Sequence, residues 1–234
     1  SKNPNYRVPI ASVTKLMSAM ILLDGGQDMS VIISIGDDDV DRLKGSGSRL
    51  KVGAGLTRYE MLRLSVMSSE NRATHALARH YPGGVDAFVA RMNRKAASLG
   101  MTNSQFQDPT GLSSNNQSTP ADLVKMVSAA RGYQFLNEIA NTAGAEVLPF
   151  GMESVLSYVN SNRLLRTGRW NIGISKTGHI REAGNCLVLQ ADIANNPYVI
   201  VILNAPSKQA RFTDADRIKA WLESKQGVVF SVLQ

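Results

Sequence analysis

The sequence contains very little cysteine and no long apolar run. Its 234 residues include one cysteine, Cys186, so an intramolecular disulfide and a multi-cysteine zinc site are both excluded. A membrane-spanning helix needs about 18 or more apolar residues in succession, and the longest apolar segments, 16–23 and 198–203, are much shorter. The first four residues do not have the pattern of a signal peptide. We therefore expect either an intracellular protein or the mature form of an exported one.

Acidic residues are fewer than basic ones. The chain has 19 Asp and Glu against 26 Lys and Arg, which gives a formal net charge of +7. The apolar content of 43% and the charged content of 19% are ordinary for a globular protein, so disorder and a coiled coil are excluded. The positive charge predicts an anionic partner, such as nucleic acid, a membrane surface or an acidic cell-wall polymer.

The hydrophobic pattern predicts a helical middle and a β-rich end. Apolar residues at helical spacing predict helices over 13–23, 57–67, 71–80, 85–99, from 120 onwards and over 214–224. Between the first two helices we expect a short strand at 31–35 and a glycine-rich connection at 45–55. Three β-rich runs, 171–175, 186–193 and 198–203, predict an antiparallel sheet backed by the first and last helices. The expected fold is one α+β unit with two lobes.

An acidic stretch at 37–41 resembles the start of an EF-hand calcium loop. Asp37, Asp39 and Asp41 have the required spacing, but Arg42 stands where glycine is needed and Ser48 where the bidentate glutamate is needed. A solvated acidic loop is the simpler interpretation. We expect no metal site here.

Other cofactor and nucleic-acid patterns are also incomplete. His75 and His80 are five residues apart, whereas two metal ligands on one helix face are four apart. Arg163, Arg166 and Arg169 form the densest basic group, without the interleaved aromatic residues that stack bases. No glycine-rich phosphate loop is present. We therefore expect no cofactor and no nucleic-acid partner.

The segment Ser12-Val13-Thr14-Lys15 combines a nucleophile with a base. Residues three apart on a helix share a face, so the Lys15 amine can reach the Ser12 hydroxyl. A lysine kept neutral by burial and a second cation can take the serine proton. The alternative is that Ser12 is a helix N-cap.

Two further segments are candidates for the same site as Ser12 and Lys15. Ser69-Glu70-Asn71 falls in the loop between two predicted helices, and Lys176-Thr177-Gly178 falls at the end of a predicted strand. A lysine and a hydroxyl on a strand edge can bind a carboxylate and a peptide-like substrate, and Gly178 lets the strand come close to the serine. Taken singly, these segments are also explained as a polar loop cap and a strand end. Their order along the chain favours catalysis.

Together with flanking segments, these motifs resemble the low-molecular-mass penicillin-binding proteins. That is the D-alanyl-D-alanine carboxypeptidase/endopeptidase family, peptidase S11, and the similarity is greatest to its penicillin-binding protein 7 type. The matching segments are 9–15, 67–73, 81–84, 99–104, 108–112, 176–178 and 183–187. The resemblance implies a serine β-lactamase/DD-peptidase-like α+β fold over 1–234, with an all-helical lobe inserted over roughly 36–150.

The resemblance also implies catalytic roles. Ser12 would be the nucleophile, acylated by the penultimate D-Ala of the substrate, and Lys15 the general base of acylation. Ser69 would relay the proton to the leaving amine. Asn71 would hold the substrate amide and help to orient Lys15.

Binding roles are implied for residues of the predicted sheet and beyond. Lys176 and Thr177 would bind the substrate end, and the backbone N–H groups of Ser12 and His179 would form the oxyanion hole. Arg211 matches a family position that helps to bind a substrate carboxylate. The implied partners are peptidoglycan stem peptides, with β-lactams as covalent inhibitors, in an exported, periplasmic protein of bacteria.

The sequence departs from the family pattern at two places. Only eleven residues precede Ser12, so we expect the sheet to lack its usual first strands unless 227–233, which is strand-like, replaces them. After Lys176-Thr177-Gly178, the segment 179–182 replaces the threonine that commonly follows two residues on. This difference is expected to alter substrate selection.

Two alternative functions remain open. A class A-like β-lactamase needs a glutamate that activates the deacylating water, and Glu138, Glu146 and Glu153 lie between the second and third motifs without a recognisable pattern. A non-catalytic wall-binding module of the same fold is the other alternative.

Overall fold

The computed structural model describes the backbone of residues 2–230 and the side chains of residues 2–225. Within residues 2–230, six helices precede the main sheet and one follows it: α1 (Thr14–Asp24), α2 (Arg58–Met67), α3 (Asn71–Arg79), α4 (Gly84–Ser98), α5 (Pro120–Arg131), α6 (Gln134–Asn141) and α7 (Lys208–Phe230). Short 3-10 turns lie at Ala11–Val13, Asp37–Asp39 and Arg163–Arg166. None of the helices within residues 2–230 has the length and apolar composition needed to cross a bilayer.

In the part of the chain that the structure describes, the strands form one larger sheet and three short pairs, all antiparallel. The pairs are β1 (Val8–Pro9) with β4 (Gln117–Ser118), β2 (Ile32–Ser34) with β3 (Gly55–Thr57), and β5 (Gly144–Val147) with β6 (Leu156–Val159). The sheet has the order β7 (Asn171–Ile180), β8 (Gly184–Ile193) and β9 (Asn196–Ala205). In its register Lys176 faces Val188, and Gly178 faces Cys186. The predicted α+β fold is confirmed.

The two faces of the sheet belong to different cores. Alternate residues of a strand point to opposite faces, and β8 follows this rule. Cys186 and Val188 join the core that contains α1 and α5, whereas Leu187 and Leu189 join the core that contains the start of α7. Helix α5 covers the face of Cys186 and Val188, because it packs on all three strands, and the expected helix α1 shares that core without being the helix that backs the sheet.

Helix α1 is central because it is apolar on nearly every side. All its residues from Thr14 to Leu22 are buried, and it packs against α2, α3, α4 and α5. A helix that is apolar all round needs neighbours all round. The lysine in its first turn, Lys15, is therefore placed inside the protein.

Local signals explain where other helices begin. Thr57 caps α2 and exchanges hydrogen bonds with Glu60 in a capping box. Thr119 caps α5, and Pro120 occupies the first turn, where its missing N–H costs nothing. These starts agree with the predicted ones to within a residue.

Three sequence-based expectations need correction, and two elements were not predicted. The motif at 176–178 lies in the middle of β7 rather than at a strand end, and the expected connection at 45–55 ends in β3. Helix α6 and the β5–β6 hairpin were not predicted. The backbone at 227–230 is the end of α7 and not a strand, while 231–233 lie outside the described residues.

The acidic stretch is solvated only in part, since Asp37 and Asp38 are exposed but Asp39 is not. The side chain of Asp39 is completely buried, and it accepts hydrogen bonds from His75 (2.7 Å), from Arg79 (2.8 and 3.1 Å) and from the backbone N–H of Gly36 (2.8 Å). Burial alone would raise the pKa of Asp39, but the hydrogen bonds outweigh it and lower the pKa to about 2. Asp39 therefore fixes the acidic stretch to α3.

We expect the substitution Asp39→Asn to lower the melting temperature at pH 7 by about 5 °C, because it leaves His75 and Arg79 without their carboxylate. Because the folded pKa is depressed, this contribution is complete above about pH 4 and is lost as the pH falls towards 2. Calorimetry of both proteins should thus give a smaller difference at pH 3 than at pH 7. The exposed neighbour Asp38→Asn is the control, and an equal loss in both variants would contradict the anchoring role.

Candidate active site

Ser12 lies in a tight turn immediately before α1. The 3-10 turn Ala11–Val13 is closed by a hydrogen bond from Val13 N–H to the Ile10 carbonyl (3.2 Å). Ala11 has φ +48°, a conformation that non-glycine residues adopt at a cost and that recurs at functional sites. The cap residue of α1 is Val13, not Ser12. The hydroxyl of Ser12, which is half-buried, is thus available to Lys15.

The amine of Lys15 is enclosed by three oxygen atoms. Lys15 is fully buried, and Nζ donates to Ser12 Oγ (2.9 Å), to Asn71 Oδ1 (2.7 Å) and to the Thr110 carbonyl oxygen (2.6 Å). Three acceptors match the three protons of an ammonium group. The first two motifs predicted from the sequence therefore meet at this amine.

Burial lowers the pKa of Lys15 from 10.5 to about 7. The low dielectric disfavours the ammonium form, although the negative charges of Asp108, Glu70 and Asp41 favour it. At neutral pH a large fraction of Lys15 is consequently the neutral amine, which can accept a proton.

Neutral Lys15 has only two N–H groups for its three neighbouring oxygen atoms, so one of them no longer receives a hydrogen bond. The chemistry of the three oxygens determines which one. A carbonyl oxygen and an amide oxygen only accept, so Thr110 and Asn71 retain the two remaining N–H groups. The hydroxyl of Ser12 can also donate. The lone pair of neutral Lys15 therefore faces Ser12, which is the arrangement needed to activate a serine nucleophile.

Thr110 was not among the residues predicted for the site, although its segment 108–112 was recognised as similar to the family. Asp108 folds this loop, because Oδ1 accepts from the N–H and hydroxyl of Thr110 (both 2.6 Å) and from Gly111 N–H (2.8 Å). Gly111 has φ +85°, and a Cβ there would lie 2.0 Å from the Ala11 carbonyl oxygen. Only glycine allows this loop to contact the Ser12 turn.

Ser69 lies beside a cavity between α3 and β6. It adopts φ +64° in the short loop that joins α2 to α3. The cavity has a volume of about 490 Å³ and is lined by Ser69, Asn71, Arg49, Tyr158 and neighbouring residues. The guanidinium of Arg49 stacks on the Tyr158 ring at 4.0 Å. Arg49 and Tyr158 were not predicted, since no motif contains them.

The third motif reaches the site from β7, the edge strand of the sheet. A Cβ on Gly178 would lie 3.1 Å from the backbone nitrogen of Ser12 and 3.0 Å from the Ile10 carbonyl oxygen. The side chain of Thr177 is buried and donates to Ser161 Oγ (2.8 Å). The strand thus contacts the Ser12 turn directly, and Ser161 is a site neighbour that the sequence did not indicate.

Lys176 adds a second buried cation. Its side chain is buried, and Nζ donates to the carbonyl of Thr177 (2.9 Å). Burial lowers the pKa of Lys176 well below its usual value, and the charges of Lys15 and Arg211 act in the same direction. The pKa of Arg211 is also lowered, and burial is the largest cause. Two buried basic side chains therefore lie on the sheet side of the site, where burial disfavours their charged forms.

Arg211 and His179 occupy different environments. Arg211, in the first turns of α7, is buried and donates through Nη1 to the carbonyls of Gly178 (3.0 Å) and Cys186 (3.1 Å). His179 is exposed, and its Nδ1 lies 3.1 Å from the Gly184 carbonyl oxygen. Arg211 thus contacts the backbone of the motif strand, and its expected contact with a substrate carboxylate stays a prediction.

Known proteins resemble this chain over most of its length. A family model described as D-alanyl-D-alanine carboxypeptidase (peptidase S11) matches residues 1–207. Two proteins named D-alanyl-D-alanine endopeptidase are similar in sequence. The one from Pseudomonas aeruginosa is 42% identical over 97% of this chain and 73% of its own length. The one from Escherichia coli is 39% identical over 96% of this chain and 72% of its own length. The crystal structure of the Streptomyces K15 DD-transpeptidase superposes with a TM-score of 0.86 at 27% identity, covering 94% of this chain and 90% of that one.

We expect the Lys15 amine to titrate near pH 7, because burial destabilises its charged form. NMR of protein labelled with ¹³C at lysine Cε should contain one resonance that shifts around pH 7 and is missing from the Lys15→Met variant. Lys95 is the matched control, since its hydrogen bonds to Tyr133 and Asp24 outweigh the effect of burial and raise its pKa. Titration of Lys15 near pH 10 would contradict the buried-amine interpretation.

Proposed function

The chain belongs to the D-alanyl-D-alanine carboxypeptidase family, peptidase S11, and from this premise we propose that it is a serine-type D-alanyl-D-alanine endopeptidase or carboxypeptidase. Its substrates are the stem peptides of peptidoglycan, in which it hydrolyses D-Ala peptide bonds. The observation that carries the proposal is the 2.9 Å contact between the buried Lys15 amine and Ser12 Oγ. A serine with a neutral lysine beside it is the minimum apparatus for acyl transfer.

In the acylation step, Ser12 Oγ attacks the carbonyl carbon of the scissile bond and neutral Lys15 takes the serine proton. The carbonyl electron pair moves to oxygen, which the N–H groups of Ser12 and His179 stabilise. Such a donor typically contributes about 10²–10³ in rate. Collapse of the tetrahedral intermediate expels the amine, which receives the proton from Lys15 through Ser69. Water then hydrolyses the ester and restores Ser12.

The edge strand β7 supports binding of an extended peptide. An edge strand presents unpaired backbone groups that can pair with a peptide backbone, and β7 has β8 on one side only within the described sheet. Asn71 holds the substrate amide from the opposite side. Lys176, Thr177 and Arg211 bind the substrate end and shape the local field.

The net charge of +7 is compatible with peptidoglycan, because its stem peptides carry carboxylates. β-Lactams act as covalent inhibitors by acylating Ser12. The enzyme works in the bacterial periplasm as an exported protein, and no metal or other cofactor takes part. We further propose that residues 1–234 form one domain with a helical lobe inserted over roughly 36–150.

Hydrolysis of crosslinks is favoured over removal of a terminal residue, since the relatives from Pseudomonas aeruginosa and Escherichia coli are both named endopeptidases. The β-lactamase alternative lacks support from its three candidate glutamates. Glu138, Glu146 and Glu153 are all exposed, and Glu146 accepts a hydrogen bond from Ser157 in the β5–β6 hairpin.

We expect a fluorescent penicillin to label the wild-type protein covalently and to leave Ser12→Ala unlabelled, because the adduct is an ester of Ser12. Gel fluorescence after denaturation measures the adduct, and Ser30→Ala, an exposed serine outside the site, is the matched control. An unlabelled wild type would contradict the proposed enzyme and favour a non-catalytic wall-binding module. A labelled Ser12→Ala would instead exclude Ser12 as the nucleophile.

We expect purified crosslinked muropeptide dimers to be converted to monomers by the wild type and not by Ser12→Ala. Chromatography separates this product from a dimer that has lost only a terminal D-Ala, which would indicate a carboxypeptidase.

The lifetime of the penicillin adduct is measured on the same preparation. A long-lived adduct is expected, and rapid turnover would favour the β-lactamase alternative.

A further inference from the structure

The acidic stretch that resembled a calcium loop ends at Asp41, which is linked to Lys15 through Ser46 and Asn71. We propose that Asp41 and Ser46 are positioning residues for Lys15, acting through the Asn71 amide. This inference rests on the proposed peptidase activity, and it adds two residues from outside the three motifs.

Four hydrogen bonds converge on the Asp41 carboxylate. Oδ1 accepts from the N–H groups of Leu43 and Lys44 (both 2.9 Å), and Oδ2 accepts from the N–H (2.8 Å) and the hydroxyl (2.6 Å) of Ser46. These bonds lower the pKa of Asp41, although burial opposes them. The carboxylate is therefore the fixed centre of a turn that presents Ser46 to the site.

Asp41 and Lys15 are linked by a chain of hydrogen bonds through Ser46 and Asn71. The chemistry of each group determines which atom donates in each of these bonds. An ionised carboxylate only accepts, so the Ser46 hydroxyl donates its proton to Asp41. The oxygen of Ser46 is then left as the acceptor for Asn71 Nδ2 (2.9 Å). With its NH₂ group held by Ser46, Asn71 must direct Oδ1 to Lys15 Nζ (2.7 Å).

The opposite orientation of the Asn71 amide is unfavourable for the same reason. It would place the Asn71 NH₂ group against the Lys15 ammonium, and an ammonium group cannot accept a hydrogen bond. Lys15 would then have two acceptors instead of three. The amide orientation is thus determined at a distance by Asp41. Neither Asp41 nor Ser46 touches the reacting atoms, so both are positioning residues.

Two further contacts hold the turn in place. Asp39, two residues earlier, is bound to His75 and Arg79 on α3, the helix whose first residue is Asn71. Lys44 forms an ion pair with Glu182 in the turn between β7 and β8. The segment 39–46 is therefore attached both to the helix that carries Asn71 and to the sheet that carries the third motif.

The test measures acylation by a fluorescent penicillin between pH 5 and 9. Ser46→Ala is expected to acylate about tenfold more slowly, since one hydrogen bond that orients Asn71 is lost. Ser46→Thr, which retains the hydroxyl, should stay within about twofold of the wild type. The matched controls are Asp28→Asn and Ser30→Ala, because this pair makes the same carboxylate–hydroxyl contact (2.7 Å) outside the site. A wild-type rate in Ser46→Ala, or no recovery in Ser46→Thr, would overturn the proposal.

The pH profile separates positioning from a merely structural role. The charged groups around Lys15 are Asp41 from the acidic turn, Glu70 from the start of α3, Asp108 from the 108–111 loop and Lys176 from β7. Asp41→Asn removes one negative charge that favours the ammonium form. The rising limb of the acylation profile should therefore move to lower pH, whereas Asp28→Asn should leave it in place. An unmoved limb in Asp41→Asn would count against the proposal.

A crystal structure of Ser46→Ala gives a readout independent of turnover. The Asn71 side chain, no longer held at Nδ2, is expected to lose its single orientation, so that Oδ1 lies within hydrogen-bonding distance of Lys15 Nζ in only part of the molecules. An unchanged amide would overturn the proposal even in an active enzyme. If the wild type is not acylated at all, the peptidase function fails, and the positioning role is then decided by this structure alone.

Discussion

A lysine amine without access to water is the constraint on which the rest of the site depends. An ammonium group enclosed in protein is costly unless acceptors replace its hydration shell, and no carboxylate contacts Nζ of Lys15 among the hydrogen bonds described. The three acceptors come from the Ser12 turn, from the first residue of α3 and from the 108–111 loop. Because each must stand within about 3 Å of one atom, the lysine determines how three distant segments assemble.

The charges around this amine are divided between the two sides of the site. The sheet side carries Lys176 and Arg211, both buried, whereas the helical side carries Asp41, Glu70 and Asp108. In the proposed reaction the developing oxyanion and the substrate carboxylate lie towards the cations. The proton taken from Ser12 is held towards the carboxylates. The arrangement thus separates opposite charges in a medium of low dielectric, where the separation has its largest effect.

The sequence was sufficient for the parts of the fold and site that local chemistry encodes. Helix starts at Thr57 and Thr119 were predictable because capping residues mark them, and the three motifs were predictable because their residue types carry the reaction. Thr110 contributes only a carbonyl group, which every residue has, so nothing in its identity indicated a role. Ser46 and Asp39 were missed for a related reason. Their function depends on contacts with a helix about 25 to 40 residues away, and a pattern of acidic residues alone favours a solvated loop.

The two glycines that flank the Ser12 turn have a consequence for any covalent adduct. A Cβ on Gly111 would lie 2.0 Å from the Ala11 carbonyl oxygen, and a Cβ on Gly178 would lie 3.0 Å from the Ile10 carbonyl oxygen, so both glycines contact the turn closely. The turn therefore has no space into which it could withdraw when Ser12 becomes esterified. The acyl group must then be accommodated away from the two glycines, and the cavity beside Asn71 has the loop that bears Ser69 and the side chain of Arg49 as walls. Residues of those walls, rather than residues of the Ser12 turn, should therefore determine which bulky acyl groups the site tolerates.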